Sequence, residues 1–169
     1  MVNSIGFVFI AGSRTLQGDP MNTKAELDTF FSQPALAVVG VSRSGKKFGN
    51  MAFRELKGRG KKVYPVHPGV DQIEGETCYP DVASLPKDVG GIVVVVPPAR
   101  AEKVVREAHE AGIHRVFLQQ GSESPATIEF CQKNDISLIS GHCIMMFPAA
   151  RGMHKPHRWL WGLLGKLPR

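Results

Sequence analysis

The sequence lacks the features that mark several common classes of protein. Its three cysteines are widely spaced, and this odd number argues against a disulfide framework and a zinc site, so we expect a reducing, cytoplasmic environment. No run of about 18 apolar residues is present, which argues against a membrane-spanning helix. The apolar stretch near the start is too short, and lacks the preceding positive charge, to indicate a secretory signal.

Acidic residues are scarce in two parts of the chain. Between positions 43 and 62, Glu55 is the one acid among eight basic residues, and after Asp135 five basic residues follow without any acid. The first basic run surrounds a glycine-rich loop, which predicts an anionic ligand. A basic patch also suits nucleic acid, but few aromatic residues accompany this one and no DNA- or RNA-binding motif is recognisable. We therefore expect no nucleic-acid partner.

Five short apolar runs recur along the 169 residues, a length that suits one domain with one core. Their apolar residues do not alternate with polar ones, as expected for strands buried on both faces of a parallel sheet. Helical patterns lie between the runs, so the sequence predicts a doubly wound α/β fold. The runs are Leu36–Val41, Lys62–Val66, Ile92–Val96, Arg115–Leu118 and Ile136–Ile139.

The connecting segments have recognisable helix starts and stops. The polar segment Glu74–Pro86 predicts turns with at most a short helix, and it places Cys78 in a surface turn. The expected helices span Phe48–Arg59 and Ala99–Ala111, start at Pro125 behind a Ser124 cap, and start behind Asn22 or Thr23.

The working domain is predicted over residues 22–148, with a leader over 1–21 and a basic amphipathic tail over 149–169. An apolar helix face in the tail would pack on the same domain or on a second copy in a homodimer. Basic residues beside tryptophan also suit an anionic membrane surface, but we expect the packing role and no membrane partner. The face is formed by Trp159, Leu160, Leu163 and Leu167.

The first glycine loop almost matches a nucleoside-triphosphate loop. Gly40 to Lys46 fits G-x-x-x-x-G-K, but Lys47 stands where a Ser or Thr should bind magnesium. The third strand also lacks a metal-holding aspartate at its end. Triphosphate hydrolysis is therefore disfavoured.

A dinucleotide site is disfavoured on similar grounds. Gly40, Gly45 and Gly49 have the wrong spacing for G-x-G-x-x-G, and the second strand ends at His67 rather than at an acid that could bond a ribose hydroxyl. These points argue against NAD. NADP is harder to exclude, because basic residues are near the loop, but the glycine spacing argues against it as well.

What remains is a glycine turn that leads into a helix start, where free N–H groups and the helix dipole favour an anion. Ser42 and Asn50 could add hydrogen bonds, and Arg43, Lys46 and Lys47 could add charge. The alternative is a glycine turn used only for packing, with solvated lysines. We favour ligand binding.

The order of several motifs resembles that of the CoA-binding domain family, small stand-alone proteins similar to the N-terminal domain of the succinyl-CoA synthetase α subunit. The likeness runs from Leu27 to Met146. It implies a Rossmann-like, three-layer α/β/α domain with a five-stranded parallel sheet that binds coenzyme A (CoA). The motifs are "VVGVSRSGKKFGNMAFREL", "VYPVHPG", "GETCYPDVASLP", "VVVVPPARAEKVVREAHEAG", "VFLQQG" and "ISGHC".

The resemblance also implies binding residues. The first loop would take the phosphates, the turn after the second strand would lie beside the adenosine, and a proline wall and a glutamine turn would follow the pantetheine arm. Many stand-alone relatives share a cysteine that matches Cys143. The residues of the first loop are Gly40, Ser42, Lys46, Phe48 and Gly49, and those of the turn beside the adenosine are His67 and Pro68. The proline wall is Val96, Pro97 and Pro98, and the glutamine turn is Gln119, Gln120 and Gly121.

We expect a binder of CoA or an acyl-CoA without catalysis of its own, because no histidine lies in a recognisable acid–base arrangement with a nucleophile. The alternative is a small NADP-type or acyl-transfer enzyme component that uses the same cleft. Cys143 is either a small buried residue at a strand end or a thiol able to form a mixed disulfide with CoA. Cys131, on the inward face of a helix, is expected in the core.

Overall fold

The computed structural model describes residues 23–147, and the expectations for residues 1–21 and 149–169 lie outside them. Within the described range, helices and strands alternate as the sequence predicted, except over residues 62–94, where four strands follow one another without a helix. In chain order the elements are α1 (Lys24–Phe31), β1 (Ala35–Val39), α2 (Phe48–Gly58), β2 (Lys62–Val66), β3 (Gln72–Ile73), β4 (Glu76–Thr77), β5 (Val89–Val94), α3 (Pro98–Glu110), β6 (Arg115–Gln119), α4 (Pro125–Lys133), β7 (Ser137–His142) and a 3₁₀ turn over Ile144–Met146.

The main sheet is parallel, has the strand order β2-β1-β5-β6-β7, and lies between two helical layers. Alternate side chains of β1 face opposite layers: Leu36 and Val38 pack with α1 and α2, whereas Ala37 and Val39 pack with α3 and α4. Every residue of β1 is buried, because both faces of the sheet are covered. The fold is Rossmann-like, three-layer α/β, and the predicted fold class is confirmed.

Local sequence signals explain where the helices begin. Thr23 caps α1 in a capping box, in which the Glu26 N–H donates to Thr23 Oγ1 at 3.1 Å and the Glu26 side chain accepts from the Thr23 N–H. Ser124 accepts from the Thr127 N–H at 3.1 Å, and Pro125 takes the first position of α4 as predicted. Between residues 23 and 147, no helix is long and apolar enough to cross a membrane.

Three sequence-based expectations need correction. The third parallel strand, β5, starts at Val89, earlier than expected, and includes two glycines that leave room for the side chains of Phe30 in α1 and Gln33 just after it. The polar segment from residue 74 was expected to form turns. It instead begins with the turn and the second strand, β4, of an antiparallel hairpin whose first strand is β3. Cys78 is 6% exposed rather than on the surface, because the chain returns from the hairpin to contact β2. Burial raises the pKa of its thiol.

The topology places the candidate site at the carboxyl ends of the strands. The chain passes from β1 to β2 on one side and then crosses to β5 on the other side of β1. The loops that follow these strands therefore diverge beside the carboxyl end of β1, which is where ligands bind in open α/β sheets.

Candidate functional site

The loop after β1 is built around two glycines with very close backbone contacts. Gly40 has φ +114°, and a Cβ there would lie 2.1 Å from the carbonyl oxygen of Val95, just beyond β5. A Cβ on Gly49 would lie 2.3 Å from the Gly40 oxygen. Because glycine has no side chain, the first turn of α2 can lie directly against the end of β1. The β1 loop (residues 40–47) therefore leads straight into a helix N-terminus.

Asn50, in the first turn of α2, holds the β1 loop from inside. Its side chain is fully buried. Its Oδ1 accepts from the Ser42 N–H at 2.9 Å and from Ser42 Oγ at 3.1 Å, and its Nδ2 donates to the Ser42 carbonyl at 3.0 Å. Both residues were candidates to bond an anion directly. In the structure these polar groups bond to each other and fix the loop backbone.

Two arginines join the β1 loop to the segment after β2. Arg43 donates to the Gly69 carbonyl, and Arg54 Nη1 donates to the Gly45 carbonyl at 3.1 Å and to Glu74 Oε1 at 2.7 Å. A pocket of about 340 Å³ lies between the loop, α2 and the hairpin, and its walls include Ser42, Arg43, Gly45, Asn50 and Glu74. Val70, Gln72 and Ile73 complete its lining.

The eight basic residues between positions 43 and 62 divide into two groups. Of the five that follow the β1 loop, four pair with carboxylates and Lys61 donates to the Phe31 carbonyl. Of the three in the β1 loop, Arg43 donates to the Gly69 carbonyl, whereas Lys46 and Lys47 are exposed and have no ion pair in the part of the chain that the structure describes. Uncompensated positive charge is thus left at the loop. The paired residues are Arg54 with Glu74, Lys57 with Glu76, Arg59 with Glu55, and Lys62 with Asp88.

The N-terminus of α2 lacks the side-chain caps found on α1 and α4. Over residues 23–147, no side chain caps it, and its first turn contains no acid. The first N–H groups of a helix have no intrahelical partner, and the helix dipole adds partial positive charge there. Together with Lys46 and Lys47, this helix start suits a phosphate-like anion.

Sequence reasoning did not single out Arg54 or Glu74. The available signal was the pair Glu74-Gly75 between two short extended segments, which is the spacing of a two-residue hairpin. Glutamate is not a usual residue in such a turn, so the hairpin was missed. The ion pair across it could not be predicted without the hairpin.

A model of the CoA binding domain family matches residues 35–147. The match starts at the first residue of β1 and includes the β1 loop, the hairpin and all the strands of the main sheet. The chain belongs to the CoA-binding domain family. The resemblance predicted from the order of the motifs is confirmed.

Relatives of two kinds share this CoA-binding domain. An ADP-forming acetate–CoA ligase II α subunit from Pyrococcus furiosus is 30% identical over 129 residues, which are 70% of this chain and 28% of that protein. An ADP-forming acetate–CoA ligase from Methanocaldococcus jannaschii is 33% identical over 124 residues, 68% of this chain and 18% of that protein. The chain thus spans less than a third of either ligase.

A solved structure of a conserved hypothetical protein from Pyrococcus furiosus is 42% identical, with a TM-score of 0.64. The match covers 66% of this chain and 96% of that protein. The CoA-binding domain therefore also occurs in a small chain with little else attached.

The loops after β2 and β5 flank the β1 loop. In the β2 loop, the His67 N–H donates to the Tyr79 carbonyl at 2.9 Å, and the buried His67 Nδ1 has no hydrogen-bond partner among the described residues. Pro68 is exposed. Val96 is half-buried, and the exposed Pro97 caps α3 without a side-chain hydrogen bond. These residues lie outside the 340 Å³ pocket but, like it, beyond the carboxyl ends of the strands.

The glutamine turn after β6 makes mostly local hydrogen bonds. Gln119 is buried, and its Oε1 accepts from the Ile144 N–H at 3.0 Å. The Gln120 N–H donates to the last carbonyl of β7, and the Gly121 N–H donates to the Glu123 carboxylate at 2.7 Å. The side chain of Gln120 is exposed, so it is more accessible to a ligand than that of Gln119.

All three cysteines are free and buried. Burial raises the pKa of the Cys131 thiol to about 11, and its predicted place in the core is confirmed. Cys143 is 8% exposed and packs in the cluster with α1 and α2, which agrees with a small core residue. The adjacent His142 is also buried, which lowers its pKa, and its Nδ1 has no hydrogen-bond partner within residues 23–147.

Proposed function

We propose that the protein binds CoA or an acyl-CoA at the carboxyl edge of its sheet, with the diphosphate at the β1 loop and the N-terminus of α2. The observation that carries this proposal is the charge at Lys46 and Lys47, which no described carboxylate pairs, beside a helix start without a side-chain cap. Membership of the CoA-binding family supports the choice of ligand over other phosphate compounds.

The residues beside the β1 loop fit the rest of the nucleotide end of CoA. The strand β2 ends at Val66 and is followed by His67 instead of a ribose-binding acid, and such an acid would repel the 3′-phosphate that CoA has beside its ribose 2′-hydroxyl. Arg43 reaches the same turn through the Gly69 carbonyl and would meet that phosphate. The adenosine would supply a partner for His67 Nδ1, which is buried without one among residues 23–147.

We propose that the part shared with the ligases is CoA binding rather than ligation, because the chain spans 28% and 18% of the two ligases. The pantetheine arm would run past Val96, Pro97 and Gln120 toward Cys143. We also propose that the protein acts in the cytoplasm and does not bind nucleic acid, on the grounds of its few cysteines and the absence of a recognisable motif.

Calorimetric titration of the full chain with CoA, dephospho-CoA, NAD, NADP and ATP tests this proposal. We expect CoA to bind most tightly. Dephospho-CoA should bind about fivefold more weakly, the size of one lost exposed charge pair of about 1 kcal/mol. NADP binding tighter than CoA would contradict the proposal and favour the oxidoreductase alternative. Equal affinity for all five would indicate a general phosphate site.

A further inference from the structure

Glu74 is held in a backbone conformation that glutamate rarely adopts. Its φ is +53° and that of Gly75 is +80°, and the two form the turn between β3 and β4. Positive φ at both central residues is typical of the type I′ hairpin turn, which favours Asn-Gly or Asp-Gly. A glutamate at the first position adds strain without any gain for the turn itself. Some other role must therefore explain why a glutamate occupies this position, and the contacts of its side chain indicate one.

The side chain of Glu74 contacts the two residues that hold the β1 loop. Its Oε1 accepts from Arg54 Nη1 at 2.7 Å and lies 3.5 Å from Asn50 Nδ2. Arg54 also donates to the Gly45 carbonyl, and Asn50 is bonded to Ser42. One carboxylate in the hairpin is therefore linked to both halves of the loop.

Glu74 brings a negative charge to the pocket beside the β1 loop. A carboxylate so near an anion site would repel the anion unless its charge were neutralised. Arg54 neutralises it at 2.7 Å, in a pair in which the Arg54 side chain is 48% exposed and the Glu74 side chain 27% exposed. The pair thus orders the loop while adding no net negative charge to it.

We infer that Glu74 is a positioning residue for the β1 loop. By orienting Arg54 and Asn50, it keeps the loop N–H groups, Lys46 and Lys47 in the arrangement that receives an anion. The expected effect on CoA affinity rests on the proposed function. The expected effect on the order of the free loop does not.

The hairpin contains a matched control. Glu76 also pairs with a cation of α2, Lys57, but that cation makes no bond to the β1 loop among the described residues. Glu74→Ala and Glu76→Ala therefore remove the same group from the same hairpin and each break one ion pair to α2. Only the first removes a link to the loop.

Hydrogen exchange and CoA titration of these variants test the inference. Without ligand, the amides of residues 42–46 should exchange about tenfold faster in Glu74→Ala than in the natural sequence, and at an unchanged rate in Glu76→Ala. CoA affinity should fall about fivefold in Glu74→Ala, the size of one net hydrogen bond, and less than twofold in Glu76→Ala.

A third variant, Glu74→Gly, separates positioning from stability. Glycine relieves the strain at positive φ, so its unfolding temperature should equal or exceed that of Glu74→Ala. Its loop exchange and CoA affinity should nevertheless match those of Glu74→Ala. If affinity instead recovers with stability, Glu74 acts only on stability and the inference is wrong.

The remaining outcomes are distinguishable. If the natural sequence binds CoA and both alanine variants bind it equally well with unchanged loop exchange, the inference is wrong and the proposed function stands. If the natural sequence does not bind CoA, the proposed function fails, and the loop exchange alone decides the inference. Faster exchange confined to Glu74→Ala would support it, and unchanged exchange would overturn it.

Discussion

Replacing Gly40 by alanine is expected to lower the free energy of unfolding by at least about 3 kcal/mol, from overpacking together with a backbone angle that L-residues avoid. The new Cβ would lie 2.1 Å from the Val95 carbonyl oxygen and 2.7 Å from its carbon, at φ +114°. Relief would require β1 and the end of β5 to separate. Since both strands are central in the sheet, this movement would disturb the core as well as the β1 loop.

Urea unfolding followed by circular dichroism measures this effect, and Gly60→Ala is the matched control. Gly60 also has positive φ, +80°, but a Cβ there would have nothing within 4 Å. Gly60→Ala should therefore lower the free energy of unfolding only by the backbone strain, about 1 to 2 kcal/mol. If the two variants lose the same stability, the close contact at Gly40 is not what requires glycine.

Replacing both Lys46 and Lys47 by alanine is expected to weaken CoA binding about 30-fold. Each exposed ammonium beside a phosphate contributes about 1 kcal/mol, so losing two corresponds to that factor. Stability should barely change, because neither lysine has an ion pair to lose among residues 23–147. Calorimetric titration with CoA and a thermal unfolding curve measure the two quantities.

The double variant Lys57→Ala with Lys62→Ala is the control for net charge. It removes the same two charges from the same basic run, but Lys57 pairs with Glu76 and Lys62 pairs with Asp88. We expect CoA affinity to fall less than threefold in this variant, because screening weakens charges distant from the ligand. Equal losses in both double variants would mean that the whole basic surface attracts the ligand, and that the β1 loop has no special role.

Much of the sheet could be predicted because its strands are unbroken apolar runs. The start of β5 could not be predicted, because Gly90 and Gly91 are residues that disfavour a strand. In the fold, a Cβ on Gly91 would lie 2.9 Å from the Phe30 ring, and one on Gly90 would lie 2.1 Å from Gln33 Oε1. Close packing of Phe30 in α1 and of Gln33 just after α1 thus explains both glycines, and sequence patterns do not reveal such contacts.

The candidate site was predicted in its local parts and missed in its long-range parts. The glycines of the β1 loop and the helix after it follow one another in sequence, so their arrangement could be inferred. The link from Glu74 to Arg54 joins residues 20 positions apart and depends on the hairpin turn. Asn50 was assigned to the ligand because its bonds to Ser42 depend on the fold of the loop itself.

The central claim is that the diphosphate of CoA contacts the backbone at the start of α2. Two-dimensional ¹H–¹⁵N NMR of the full chain during CoA addition tests it most directly, because it reports on each amide. We expect the largest shifts at Phe48 and Gly49, with smaller ones along the rest of the β1 loop. Unchanged signals at these two amides at a CoA concentration that saturates shifts elsewhere would contradict the claim.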